Sequence, residues 1–115
     1  MIERNVVVDE EHRGQVERGP GGWLCGYAFI DQKRFRQMRK KGNTIVCHGG
    51  ITFTGKVWDE EGKEHFAVGF DCAHSGDFYV VGREICWRWT VDMAAEEVKS
   101  ILLQFLQIEQ KERKE

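Results

Sequence analysis

Ile51-Thr52-Phe53-Thr54-Gly55-Lys56-Val57-Trp58 runs into Asp59-Glu60-Glu61-Gly62-Lys63-Glu64 and out again as His65-Phe66-Ala67-Val68-Gly69-Phe70. Two β-rich segments on either side of a polar, glycine-bearing turn predict an antiparallel hairpin. Placing Trp58 opposite His65 sets Phe53 opposite Phe70, Thr52 opposite Asp71 and Gly49 opposite His74. Side chains alternate along a strand, and a slip of one residue exchanges the faces. In this register Ile51, Phe53, Gly55 and Val57 share a face with Cys72, Phe70, Val68 and Phe66. Thr52, Thr54, Lys56 and Trp58 fall with Asp71, Gly69, Ala67 and His65 on the other. One face is apolar and the other mostly polar, the pattern of a half-buried pair.

Beyond the hairpin on the C-terminal side, Phe78 to Gly82 and Glu84 to Trp89 are short extended candidates. The period then changes. Val91, Ala94, Ala95, Val98, Ile101, Leu102, Phe105 and Ile108 follow helical spacing, with Thr90 placed to cap the start. Their apolar stripe requires a surface, and the apolar face of the sheet supplies one. The charged stretch from Glu109 to Glu115 reads as a frayed tail. On the N-terminal side, Asn5 to Val8 and Trp23 to Ile30 read as strands that can pair across a long loop. Asp31 is a helix N-cap and Gly42 a stop, with Phe35 and Met38 anchoring about three turns between them. Asn43 to Cys47 reads as a short strand. The expected fold is α+β: a small antiparallel sheet with the C-terminal helix packed on one face, in a single domain over residues 1–108.

The chain has 115 residues, 41% hydrophobic and 11% aromatic, with a single proline, Pro20. That permits one packed core and leaves no room for long linkers. No apolar run approaches the roughly 20 residues of a membrane span. Met1 to Asn5 lacks the basic and apolar regions of a signal peptide, so a cytoplasmic protein is expected. In that reducing compartment Cys25, Cys47, Cys72 and Cys86 are expected as free thiols, and no Cys-x-x-Cys is present. Net charge is −2, unevenly spread: Lys33, Arg34, Arg36, Arg39, Lys40 and Lys41 form a basic block with no acid inside it. Such a block with Phe35 interleaved suits phosphates and a stacked base, and equally a solvated helix face.

The hairpin gathers a polar cluster at one end: His48, Gly49, Gly50 and Thr52 from one side, Asp71, His74, Ser75 and Asp77 from the other. Two imidazoles and carboxylates are ligands for zinc, manganese or iron, and the same groups serve as general acid and base. They also suit tight turns that cap their own backbone. The glycines permit close approach to a ligand. No Walker motif, G-x-G-x-x-G or Gly-x-Ser-x-Gly is present, which excludes the common nucleotide and hydrolase signatures. The four tryptophans, Trp23, Trp58, Trp87 and Trp89, fit either core packing or a binding surface.

Leu24-Cys25-Gly26-Tyr27, then His48-Gly49-Gly50-Ile51-Thr52-Phe53, then Gly69-Phe70-Asp71-Cys72-Ala73-His74-Ser75-Gly76-Asp77, followed by an amphipathic helix, resemble a family of small proteins encoded by tailed phages and prophages. The resemblance covers residues 23 to 107. Such proteins often carry a Gly-His-Pro loop after the Leu-Cys-Gly-Tyr strand; here Asp31 to Lys41 replaces it. The resemblance implies a phage accessory protein in a bacterial host, with no activity attached. The expected function is binding of a small ligand or a host protein at the His/Asp/Gly-rich site, in a role such as countering a host defence. A small metal-dependent hydrolase using the same residues, and nucleic-acid binding through residues 33–41, are the alternatives.

Overall fold

A computed structural model describes residues 1–114. The fold is α+β. Strands β1 (Ile2–Val7), β2 (Arg13–Arg18), β3 (Leu24–Phe29), β4 (Phe53–Trp58) and β5 (Glu64–Asp71) form an antiparallel sheet in the order β1-β2-β3-β5-β4. Helix α1 (Gln32–Lys40) follows β3, and α2 (Val91–Arg113) closes the described chain. Strands β6 (Phe78–Val81) and β7 (Glu84–Trp87) make a separate two-stranded hairpin.

The core lies between the sheet and α2. Val98, Ile101, Leu102 and Phe105 are buried against Val16, Leu24, Ala28, Val68 and Phe70. The helix sits low on the sheet because Gly14 and Gly26 leave a trough beneath it. A Cβ at Gly14 would meet a methyl of Val98 at 2.7 Å, and one at Gly26 would meet the other methyl at the same distance. Both helices start as the sequence reading expects. Asp31 accepts a hydrogen bond from the backbone N–H of Arg34 at 3.0 Å, and Thr90 from that of Met93 at 3.2 Å. Phe35 and Met38 are buried under α1.

The β4–β5 register differs from the expected one by a single residue. Phe53 pairs with Gly69 rather than Phe70, and Trp58 with Glu64 rather than His65. The cause is that β5 is buried on both faces. It lies between β3 and β4, with Ala67 and Val68 both fully buried. The small residues Ala67 and Gly69 therefore mark a second packed face rather than a solvated one. Tyr27 of β3 and Phe53 of β4 meet edge to face over Gly69, ring centroids 5.3 Å apart. Next to them Phe29 stacks on His65 at 4.1 Å. The apolar residues of β4 thus point away from α2.

Three further expectations are corrected. Asn5–Val8 does not pair with Trp23–Ile30, because β2 lies between β1 and β3. Asn43 to Cys47 forms no strand; the backbone N–H and C=O of Val46 bond the side-chain amide of Gln104 on α2, each at 2.8 Å. The stretch from Glu109 is no frayed tail, since α2 continues to Arg113 and Glu109 is buried. Its carboxylate takes His12 on one oxygen and Arg34 on the other.

Candidate functional site

His48 sits in a tight turn, closed by the N–H of Gly50 donating to the carbonyl of Cys47 at 2.9 Å. Its own backbone N–H donates to Glu97 of α2 at 2.9 Å, and its ring packs on Trp89, centroids 4.3 Å apart. On the other strand of chain, a single 3-10 turn at Ser75–Asp77 leads from β5 to β6. The buried Asp77 carboxylate is the hub. Its two oxygens lie 2.8 and 2.9 Å from Nε2 of His48. One of them accepts the backbone N–H of His74 at 2.9 Å and faces Nδ1 of the same residue at 3.2 Å. The two imidazole rings stand edge to face, 5.4 Å apart.

Gly49 lies against His74, as the hairpin reading places it. Its φ is +67°, and a Cβ there would fall 2.3 Å from Cε1 of that imidazole. Asp71 and Thr52 sit at the edge of the cluster. Thr52 donates its hydroxyl to Asp71 at 3.0 Å, and the other Asp71 oxygen accepts from the N–H of Ala73. That oxygen is 3.8 Å from Nδ1 of His74. Asp71, Thr52, Trp23, Tyr27 and Phe53 border a cleft of about 380 Å3 on the sheet face away from α2. Gly50 and Ser75 are exposed, and the Ser75 hydroxyl takes part in none of these bonds. The expected site is therefore a tight His48–Asp77–His74 group adjoining an Asp71–Thr52 pair at a cleft.

Burial works against the Asp77 charge, yet the hydrogen bonds from His48 and the His74 backbone outweigh it and hold the carboxyl below its ordinary 3.8. Burial, then the nearby Asp77 charge, pushes the Cys72 thiol up to about 12. All four cysteines are free. One nitrogen of each imidazole and one oxygen of Asp77 lie within 4.8 Å of one another. That donor set of two imidazoles and a carboxylate suits a divalent transition metal with a position left for water.

Trp89 and Glu97 hold His48 but carry no signal in the sequence beyond lying near the start of α2. The basic block is split by the fold. Arg34 pairs with Glu109 at 3.3 Å and Lys41 with Glu112 at 3.6 Å, on the side toward α2. Lys33, Arg36, Arg39 and Lys40 are exposed. Among the described residues no helix is long and apolar enough to cross a membrane.

Comparison with protein-family models, with curated proteins and with solved structures finds no match.

Proposed function

We propose that this chain is a binding protein that takes a small ligand or a host protein at the His48–His74–Asp77 group and the adjoining cleft. The convergence of two partly exposed imidazoles on one buried carboxylate, next to Asp71 and Thr52 at a cleft rim, carries the reading. Asp77 holds both rings in fixed orientation, so recognition requires little reorganisation on binding. The motif resemblance supports the setting: a phage-type accessory protein in the bacterial cytoplasm, countering a host defence. Native mass spectrometry of protein purified from bacterial cytoplasm tests this. The expected result is a bound molecule that Asp71→Asn and His74→Ala both lose at an unchanged melting temperature, because partly exposed polar changes cost little stability. Wild type carrying nothing, together with unaltered phenotype in both variants, would remove the site.

A second reading is favoured by three donor atoms that all lie within 4.8 Å of one another: a metal-dependent hydrolase. His48, His74 and Asp77 would hold the ion, which would supply an activated water. Zinc titration of chelator-treated protein by calorimetry separates the two readings. Heat from wild type that His74→Ala abolishes favours the metal; no heat from wild type removes it.

A further inference from the structure

We propose that the recess between α1 and the β4 edge is a second site, bordering the first at Thr52 and Phe53, and that it binds single-stranded nucleic acid. Two clefts of about 480 and 500 Å3 share Phe35, Arg39 and Thr54, so they are neighbouring parts of one recess. Each has the volume of an ordinary ligand site, roughly 300–1,000 Å3. Arg36, Arg39 and Lys40 line its α1 wall. They lie three and four residues apart, which puts them on one helix face.

The fold separates these cations from the rest of the basic block. Arg34 and Lys41 are neutralised by Glu109 and Glu112 of α2. Arg36, Arg39 and Lys40 have no ion pair among the described residues, and no acid lines either cleft. A positive wall without internal counter-charge is complementary to an anion. The opposite side and floor decide which anion. The partly exposed Phe66 is the open aromatic surface of the recess; it rests against the buried Phe35, ring centroids 6.5 Å apart, with the Arg39 guanidinium 5.8 Å from the Phe35 ring. Thr54 adds a hydroxyl. Cations over an aromatic floor suit a phosphate joined to a flat base, the arrangement that single-strand binding uses. A duplex keeps its bases stacked inside and reaches only the rim. An acidic peptide meets the cations but has no group for the aromatic floor.

Fluorescence anisotropy with labelled oligothymidylate tests the proposal. Binding is expected at about 50 mM salt, with a log–log salt slope of about −2 from three cations at about 0.7 each. The combined Arg36→Ala, Arg39→Ala, Lys40→Ala variant should bind at least about tenfold more weakly, with a slope near zero. Lys33→Ala, an exposed cation outside the recess, should bind as wild type does. Thermal melting confirms that each variant is folded. Three results would overturn the proposal: no binding by wild type, equal binding by the triple variant, or equal affinity for a duplex or for polyglutamate.

Discussion

Nε2 of His12 meets an oxygen of Glu109 at 2.9 Å, across 97 positions of chain. The other ring nitrogen of His12 lies 2.7 Å from Asp9 in the β1–β2 turn. One buried imidazole therefore fastens the last turns of α2 to the first hairpin. Burial of His12 works against its charge, yet the bonds to Asp9 and Glu109 outweigh it and raise its pKa above the ordinary 6.5. The native state then holds the proton more tightly than the unfolded chain does. This stabilisation is complete below about pH 6.5 and is lost as pH rises through the folded value. The Asp9 carboxyl is lowered, first by its bond to His12, so its share is lost as pH falls below the ordinary 3.8 and through the folded value. Melting curves of wild type and His12→Gln should converge as pH is raised from about 5 to about 9. A constant gap would mean that His12 acts through shape alone.

Removing the acid end of the same bridge should be severe. Glu109→Ala leaves Nε2 of His12 buried without a partner, while Asp9 still holds Nδ1, and frees Arg34, so a loss of about 2 kcal/mol is expected. Urea unfolding measures it; a loss under about 1 kcal/mol would place Glu109 in the class of surface charges.

Gly49 and Gly50 provide an internal comparison. Both have positive φ, so alanine at either costs about 1–2 kcal/mol of backbone strain. Only at Gly49 does the new methyl strike His74, whereas Gly50 faces open space. Gly49→Ala should displace the His74 imidazole and alter its NMR signals, while Gly50→Ala leaves them in place. Identical histidine spectra for the two variants would contradict the close packing of Gly49 on His74.

Phe105 is 1% exposed and packs edge to face on Phe35 of α1, ring centroids 6.4 Å apart. Phe105→Ala should cost about 3–5 kcal/mol. An unchanged melting temperature would show that α2 does not carry the core.

Reactivity should separate the thiols. With its thiol raised to about 12 by burial, Cys72 should resist alkylation near neutral pH until the protein unfolds. After denaturation all four cysteines should react; two unmodified cysteines in unreduced protein would reveal a disulfide.

The site was legible where its residues are local. His48-Gly49 and Asp71-to-Asp77 flank one hairpin, so its end had to gather them, and the turns at Cys47–Gly50 and Ser75–Asp77 absorb the one-residue error in register. The helices were legible because their stripes and caps are written within single segments. β2 was not, since Arg13-Gly14-Gln15-Val16-Glu17-Arg18 holds one large apolar residue and its glycine serves a helix far along the chain. The role of Glu109 was hidden in a run of charges whose partners, His12 and Arg34, come from distant elements. Glu97 and Gln104 escaped for the same reason: each spends its side chain on the backbone of the loop between α1 and β4.

Among the described residues the β6–β7 ribbon pairs with no third strand, and Val80, Val81 and Ile85 on it are each more than half exposed. A lone two-stranded ribbon is marginal in water, so its amides should exchange with deuterium through local opening, long before those of β3 and β5. The root of the ribbon is where that fraying stops. There Trp87 lies edge to face on Trp23, and the N–H of Arg88 donates to the carbonyl of Asp77 at 2.8 Å. The residue whose carboxylate faces both imidazoles thus also anchors, through its carbonyl, the ribbon to the rest of the fold.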